Sequence, residues 1–283
     1  MSPGAKFRDA LTAEQPLQLP GVINAYAAIL ARDAGFRALY LSGAGVANAS
    51  FGLPDLGVTT LDHVLEDTRR IAAATDLPLL VDADTGWDDP GHAVAELERA
   101  GAAGCHLEDQ VPAKRCGHRP NKQLVSTGEM TGRIRAACGG RADPSFVVMA
   151  RTDAVAPEGL AAAIARCRAY VEAGADMIFS EALTSLDDYR AFTSALDVPV
   201  LANITEFGKT PLFTLEELDS AGIGIALYPL SAFRAMSKAA LDVLGTLRSE
   251  GTQKASLGDM QTRDQLYEHL NYHRQETELD QSS

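Results

Sequence analysis

Eight short runs rich in apolar and β-branched residues alternate with longer, Ala- and Arg-rich amphipathic stretches. The runs are Gly21–Asn24, Ala38–Ser42, Leu79–Asp84, Gly104–Glu108, Phe146–Arg151, Met177–Glu181, Pro199–Asn203 and Ile223–Pro229. Four of these runs follow an Ala-Gly pair, which is typical of a helix that ends on a left-handed glycine: Ala34-Gly35, Ala100-Gly101, Ala173-Gly174 and Ala221-Gly222. A strand-helix unit repeated eight times predicts an α/β fold, the (β/α)8 TIM barrel.

The length of the chain fits one such domain. With 283 residues, 46% of them hydrophobic, the chain buries enough surface for a single large core. We expect one TIM-barrel domain over residues 1–283, with the barrel at about 19–245 and a C-terminal helical extension at about 246–283. Within that part, Ser231–Gly251 predicts one helix and Gln261–Asp280 predicts a further helix that packs on a neighbouring subunit.

Charge and composition exclude several classes of protein. The formal net charge of −13 argues against a nucleic-acid partner or an anionic membrane surface. The sequence contains neither an export signal nor a run of 18 apolar residues, so we expect a cytoplasmic protein without a membrane partner. The four cysteines lack the spacing of zinc ligands, and we expect free thiols.

Polar residues end seven of the eight runs, at the barrel rim where active sites of this fold lie. Asp82 and Asp84 lie two residues apart in the third run, so an extended strand places both carboxylates on one face, roughly 6.5 Å apart. Such a pair suits a hard cation such as Mg²⁺. A turn or a helix cap is the alternative interpretation of this pattern.

The fourth run adds a third acid to the same rim. His106 and Glu108 share one strand face, and His106 is interpreted as a hydrogen-bonded core histidine. Glu108 joins Asp82 and Asp84, and three converging carboxylates repel one another unless a divalent cation or an arginine lies among them. Arg151, which ends the next run, is the candidate partner.

The segment from Asp109 to about Thr127 is long, and we expect it to form a mobile loop over the rim. It places Cys116 among Lys114, Arg115 and His118, and nearby cations lower the pKa of a thiol. Cys116 is therefore a candidate general acid. A covalent nucleophile and a solvated basic loop are the two alternatives.

The loop after the second run contains two glycines. Ser42-Gly43-Ala44-Gly45 lacks the third glycine of a dinucleotide-binding loop, because Asn48 stands at that position. A rim loop whose backbone N–H groups bind a carboxylate explains these glycines better.

These motifs resemble the isocitrate lyase and phosphoenolpyruvate mutase superfamily and, within it, the short 2-methylisocitrate lyases. The resemblance covers nearly the whole chain, and the matching stretches are Tyr40–Gly43, Leu53–Gly57, Val81–Asp84, His106–Gln110, Lys114–Lys122, Ala150–Asp153, Asn203–Gly208, Leu227–Arg234 and Gly251–Lys254. The thiol-bearing loop is a mark of the carbon–carbon lyases of this superfamily.

The resemblance implies a set of site residues. Asp82 and Asp84 would hold Mg²⁺, for which Mn²⁺ substitutes, with Asp55 and Glu108 in support, largely through water. Residues expected around a tricarboxylate substrate are Ser42, Gly43, Ala44, Cys116, Gly117, Arg151, Glu181, Asn203, Ile204, Thr205, Arg234 and Arg263. The expected catalytic residues are Arg151, Cys116 as proton donor and either Tyr40 or Glu108 as the base. The resemblance also implies a homotetramer.

The activity implied is Mg²⁺-dependent cleavage of (2R,3S)-2-methylisocitrate to pyruvate and succinate, a step of the methylcitrate cycle of propionate catabolism. A related lyase or decarboxylase acting on dimethylmalate or oxaloacetate is the alternative enzyme, and a catalytically silent barrel is the alternative outside enzymes. We also expect Leu227 and Pro229 to leave an apolar space for the substrate methyl group.

The sequence departs from the superfamily pattern in two places. Ala44 replaces a glycine of the rim loop, and the stretch from Trp87 to Arg99 is about one helical turn shorter than usual.

Overall fold

An eight-stranded parallel barrel forms the centre of the computed structural model, which describes residues 1–113 and 122–282. The strands are β1 (Leu17–Pro20), β2 (Leu39–Leu41), β3 (Leu79–Asp82), β4 (Gly104–Glu108), β5 (Val147–Thr152), β6 (Met177–Ser180), β7 (Val200–Asn203) and β8 (Ile225–Tyr228). They pair in the order β1-β8-β7-β6-β5-β4-β3-β2, and a parallel bridge between Gly21 and Tyr40 joins the two remaining edges. The predicted TIM barrel is confirmed.

Helices precede, connect and follow the strands of the barrel. They are α1 (Pro3–Ala13), α2 (Ala25–Asp33), α3 (Gly43–Gly45), α4 (Leu61–Ala74), α5 (Pro90–Arg99), α6 (Thr127–Gly140), α7 (Val155–Glu158), α8 (Leu160–Glu172), α9 (Leu186–Ala195), α10 (Leu215–Ser220), α11 (Ser231–Glu250), α12 (Arg263–His269) and α13 (Tyr272–Ser282). A π-helical segment spans Val46–Ser50 and a 3₁₀ helix spans Lys254–Asp259. In the described ranges, no helix combines the length and the apolar content that crossing a bilayer requires.

The predicted helix ends are confirmed at all four Ala-Gly pairs. Their glycines have φ angles between 74° and 113°, in the left-handed region where a side chain is unfavourable.

The predicted position of the first strand is wrong. β1 is Leu17–Pro20, four residues before the predicted run, and Leu17 and Leu19 are fully buried. Asn24, expected at a strand end, caps α2 instead, because its side-chain oxygen accepts a hydrogen bond from the Ala27 N–H.

The C-terminal part is only partly as predicted. The helix expected over Ser231–Gly251 is α11, which Gly251 ends with φ 70°. The single helix expected over Gln261–Asp280 is divided into α12 and α13, since Asn271 between them has φ 51°.

Side chains inside the barrel change from apolar to polar toward the carboxyl ends of the strands. Residues two positions apart on a strand share a face, and the inward Leu80, Met149 and Leu201 are each followed two positions later by a polar residue: Asp82, Arg151 and Asn203. The polar rim therefore lies directly above a packed interior. Leu227 is fully buried in that interior and exposes no surface at the rim, and the space expected beside Leu227 and Pro229 for a substrate methyl group stays a prediction.

The shortened segment before β4 still forms a capped helix against its neighbour. Asp89 caps α5, since its carboxylate accepts hydrogen bonds from the N–H groups of Gly91 and His92. The neighbouring helix is α6. A Cβ atom on Gly140, at the end of α6, would lie 2.0 Å from the carbonyl oxygen of Gly91 in α5. The two backbones therefore approach as closely as glycine permits.

This contact predicts opposite effects for two adjacent glycines of α6. We expect Gly140→Ala to lower the free energy of unfolding by about 1–3 kcal/mol, because backbone must move to admit the methyl group. Gly139→Ala, whose Cβ meets nothing within 4 Å, should raise that free energy by about 0.5–1 kcal/mol. Urea titration of the two variants measures the difference. Equal effects of both substitutions would contradict the close approach.

Candidate active site

Two carboxylates converge at the carboxyl end of the third strand. The prediction that Asp82 and Asp84 occupy one strand face is wrong, because β3 ends at Asp82 and Asp84 has φ 49°. Their carboxylates meet nevertheless, since a Cβ atom on Gly43 would lie 3.1 Å from Asp82 Oδ2 and 3.2 Å from Asp84 Oδ1. The Gly43 N–H donates to Asp82 Oδ2 (3.0 Å) and the Asp84 N–H to Asp82 Oδ1 (3.0 Å). Glycine at position 43 thus leaves room for both acids.

This pair fits a hard divalent cation. Both aspartates are buried, and two like charges so placed are costly without a cation. In residues 1–113 and 122–282, no cluster of three or more His, Cys, Asp or Glu side chains is arranged to hold a metal. Mg²⁺ commonly binds one or two carboxylates and keeps several waters, so an all-oxygen pair matches its preference.

A tyrosine and a histidine lie directly behind the acidic pair. Tyr40 Oη is 2.8 Å from His106 Nε2 and donates a longer hydrogen bond, 3.5 Å, to Asp82 Oδ2. The two rings stack at 5.8 Å, and His106 is fully buried. The interpretation of His106 as a core histidine fits this placement, although sequence reasoning did not link it to Tyr40. The Tyr40 hydroxyl is thereby held at the edge of the acidic pair.

Arg151 is the cation at the centre of the rim. Its Nε lies 3.4 Å from Glu108 Oε2, and its Nη2 lies 3.1 Å from Glu181 Oε2. Its Nε also donates to Asp153 Oδ2 at 3.0 Å. Burial opposes the charged form, but the carboxylates of Asp153, Glu108 and Glu181 outweigh it and hold the pKa of Arg151 well above its usual value. The predicted partnership of Arg151 with Glu108 is present in the structure.

A second polar group lies on the far side of Arg151. The Asn203 amide donates to both carboxylate oxygens of Glu181, at 3.3 and 3.4 Å. The buried Asn203 Oδ1 has no hydrogen-bond partner among the described residues. Thr205 is also buried, whereas the side chain of Ile204 packs into the layer between strands and helices. Asn203 therefore offers a free acceptor beside Glu181.

Arg234 lies in a separate, more exposed contact at the start of α11. Its Nε is 3.7 Å from Glu206 Oε2, and its guanidinium lies over the Phe207 ring, 5.6 Å from the ring centroid. The Ser231 hydroxyl donates to Glu206 Oε1. Sequence reasoning assigned no role to Glu206 or Phe207, although both belong to the Asn203–Gly208 motif.

The remaining predicted residues differ in their placement. Ser42 is buried and immediately precedes α3, and Ala44 in that helix is half-buried, as is Asp55 in the following loop. Arg263 is exposed at the start of α12, and within the described part of the chain no hydrogen bond or ion pair joins it to another residue. The structure therefore does not bring Arg263 into contact with the rim residues.

The predicted thiol lies outside the described residues. Cys116, Gly117 and part of the predicted mobile loop fall in 114–121, and they stay predictions. The flanking chain is ordered by a bridge between Gln110 and Leu124, with the Val111 N–H donating to the Gln123 carbonyl at 3.0 Å.

Comparison with known proteins gives consistent matches over the whole chain. The sequence profile of the phosphoenolpyruvate phosphomutase family matches residues 7–248. The chain is 61% identical to the 2-methylisocitrate lyase of Escherichia coli strain K12 over 283 residues, which covers 99% of this chain and 96% of that protein. The solved structure of 2,3-dimethylmalate lyase superposes with a TM-score of 0.91 at 33% identity and covers 100% of this chain and 96% of that one. For oxaloacetate acetylhydrolase with the inhibitor 3,3-difluorooxalacetate, the TM-score is 0.92 at 33% identity, with coverage of 99% and 97%.

Proposed function

The chain belongs to the phosphoenolpyruvate phosphomutase family, and from this premise we propose that it is a carbon–carbon lyase that cleaves 2-methylisocitrate to pyruvate and succinate. One structural observation carries the proposal: the buried Arg151 lies among Glu108, Asp153 and Glu181 at the barrel end that also holds the Asp82 and Asp84 pair. That arrangement offers one fixed cation and one cation site to a substrate with several carboxylates. The reaction belongs to propionate catabolism, and we propose the cytoplasm as its location.

Asp82 and Asp84 would hold the metal, with Glu108 and Asp55 in support. When bound, Mg²⁺ or Mn²⁺ supplies Lewis-acid charge beside the reacting oxygens. Arg151 neutralises substrate charge next to it, and the Asn203 amide oxygen and Thr205 orient the part of the substrate that becomes succinate. Arg234 binds at the outer edge of the same part.

The bond that breaks joins the methyl-bearing carbinol carbon to the neighbouring carbon of the succinyl part. The base, either Tyr40 through its hydroxyl oxygen or Glu108, takes the proton of the substrate hydroxyl, and that carbinol becomes the ketone of pyruvate. The electron pair of the broken bond passes to the succinyl carbon. Cys116 donates a proton to that carbon, which completes succinate.

The test is pyruvate release from a panel of four substrates. We expect turnover of 2-methylisocitrate that EDTA removes and Mg²⁺ restores, with slower turnover of isocitrate, dimethylmalate and oxaloacetate. The structural neighbours act on compounds of the last two kinds, so faster turnover of either would favour the alternative lyase or decarboxylase. Absence of turnover on all four, with and without metal, would contradict the proposal.

We also propose that the protein assembles as a homotetramer through α11. This 20-residue helix follows β8, yet none of its residues is buried. Leu241, Leu244 and Leu247 recur along one side and are 67%, 61% and 39% exposed. By contrast, α12 and the residues just before it already contact their own chain: Tyr26 Oη donates to Gln261 Oε1, and His269 Nδ1 lies 2.6 Å from Asp33 Oδ2. The apolar side of α11 is therefore the better candidate for a subunit interface.

Light scattering tests the assembly. We expect a tetramer for the unmodified chain and a smaller species for the double variant Leu241→Glu/Leu244→Glu, because buried charges destabilise an apolar interface. Ser249→Glu, which adds one negative charge on the other side of the helix, is the control and should stay tetrameric. A monomer in the unmodified protein would contradict the proposal.

A further inference from the structure

Asp153 is a fully buried carboxylate that binds two cations at once. Its Oδ2 accepts from Arg151 Nε at 3.0 Å, and its Oδ1 accepts from Arg151 Nη2 at 3.3 Å. Oδ1 also accepts from Lys122 Nζ at 2.8 Å, and the Lys122 side chain is only 3% exposed. The mechanism proposed above uses Arg151 but gives no role to Asp153 or Lys122.

The contact between Asp153 and Arg151 fixes the direction of the guanidinium. A planar guanidinium that makes two parallel hydrogen bonds to one carboxylate loses its freedom to rotate. The closest contacts of Arg151 with Glu108 and Glu181 are 3.4 and 3.1 Å. Without the two bonds to Asp153, Arg151 is free to turn toward either glutamate. Asp153 therefore decides which face of the guanidinium is presented to the rim.

Asp153 is itself held at its backbone and at its side chain. Its N–H donates to Asp109 Oδ1 at 2.9 Å. The other oxygen of Asp109 accepts from Thr152 Oγ1 (2.7 Å) and Tyr170 Oη (2.9 Å). Lys122 approaches from the segment that pairs with Gln110 at Leu124. Asp109 thus holds the backbone of Asp153, and Lys122 holds its carboxylate.

We propose that Asp153 is a positioning residue for the reaction, which acts by holding the Arg151 guanidinium in its productive orientation, and that Lys122 fixes Asp153 for this purpose. The inference rests on the proposed function, in which Arg151 neutralises charge on the substrate. A misplacement of about 1 Å in such a group costs up to about 10²-fold in rate. The effect should fall mainly on kcat, since charge on the reacting oxygens grows in the transition state.

The first test compares Asp153→Asn with Asp176→Asn in the full-length enzyme, in 2-methylisocitrate cleavage well below the unfolding temperature. Asp176 also binds two arginines, Arg8 and Arg141 at 2.8 Å each, but it precedes β6 at the opposite end of the barrel. We expect Asp153→Asn to lower kcat by about 10- to 50-fold with less than a threefold change in KM. Asp176→Asn should lower Tm and leave kcat within twofold. Unchanged kcat in the folded Asp153→Asn enzyme would overturn the proposal.

The second test separates positioning from charge balance. The double variant Asp153→Asn/Lys122→Met removes one negative and one positive charge together, so it should recover much of the Tm that Asp153→Asn loses. We expect kcat to stay low, because Arg151 still lacks its two-bond partner. Recovery of kcat together with Tm would show a structural role only and would overturn the proposal.

A crystal structure of Asp153→Asn gives a readout that does not depend on the substrate. We expect the Arg151 guanidinium to turn toward Glu108 or Glu181. An unchanged orientation would overturn the positioning role even for an enzyme whose unmodified form does not cleave 2-methylisocitrate, whereas that inactivity alone would contradict the proposed function.

Discussion

Asp84→Asn is expected to lower the turnover of 2-methylisocitrate by ~10³-fold or more, since metal-ion catalysis contributes several kcal/mol and each 1.36 kcal/mol is tenfold in rate. Asparagine keeps the shape of the side chain and tolerates the left-handed φ of 49° at this position better than alanine does. It removes one of the two charges that face Gly43, so the affinity for the cation falls while the fold is retained.

Calorimetric titration with Mg²⁺ measures the loss of affinity for the cation. The rate as a function of Mg²⁺ concentration measures the loss of turnover. Asp88→Asn is a matched control, because Asp88 is an exposed aspartate four residues further along the same connection. It should change kcat by less than twofold. Removing one of two facing carboxylates relieves repulsion, so the Tm of Asp84→Asn in EDTA should equal or exceed that of the unmodified protein. Full activity of Asp84→Asn, or of the unmodified protein in EDTA, would contradict the metal site.

The barrel was predictable from the sequence because a strand pattern followed by a helix pattern recurs eight times. The boundaries of the individual strands were not predictable. The run Gly21–Asn24 contains the β-branched pair Val22 and Ile23, which favours a strand on local grounds. The structure uses Leu17–Pro20 instead, since Leu17 and Leu19 fill the barrel interior. Packing inside the barrel decided the position of the strand, and local propensity does not contain that information.

The acidic pair was predicted from the right residues with the wrong geometry. Sequence alternation assumes that a strand continues through Asp84, whereas the left-handed φ of Asp84 turns the chain after Asp82. The carboxylates nevertheless converge beside Gly43, which approaches both from the preceding connection, after β2. A close approach between segments about 40 residues apart is a tertiary feature, and no local pattern reports it.

Some partners of Arg151 were predictable from the sequence, and others were not. Glu108 was predicted beside Arg151 because the two residues end neighbouring runs at the common rim. Glu181 was expected at the same rim around the substrate, but it was not predicted as a partner of Arg151. Asp153 was within reach of the same reasoning, since it lies two residues after Arg151, but β5 ends at Thr152 and the alternation rule stops there. Lys122 approaches Asp153 from 31 residues away, and only the folded chain places a buried lysine at that point.

Cys116→Ser is expected to lower kcat by at least ~10²-fold, the usual scale for the loss of a positioned general acid. The hydroxyl has nearly the size of the thiol but a far higher pKa, so it does not donate a proton to the succinyl carbon at neutral pH. Substrate binding should persist, because Arg151, Asn203 and Arg234 are unchanged. Steady-state kinetics separates kcat from KM in this variant.

Labelling with iodoacetamide tests the same residue independently. Burial raises the pKa of each of the other three thiols, Cys105, Cys138 and Cys167, so these should react slowly at pH 7.5. Cys116 lies among Lys114, Arg115 and His118 in the sequence, and these cations favour its thiolate. We therefore expect modification of Cys116 first, in parallel with loss of activity, and protection by Mg²⁺ with succinate. Cys138→Ser is the control and should retain full activity, since Cys138 lies in α6 on the outside of the barrel, where its Sγ donates to the Gly174 carbonyl. Near-normal turnover of Cys116→Ser would remove the proton-donor role, while the metal site and the position of Arg151 would still stand.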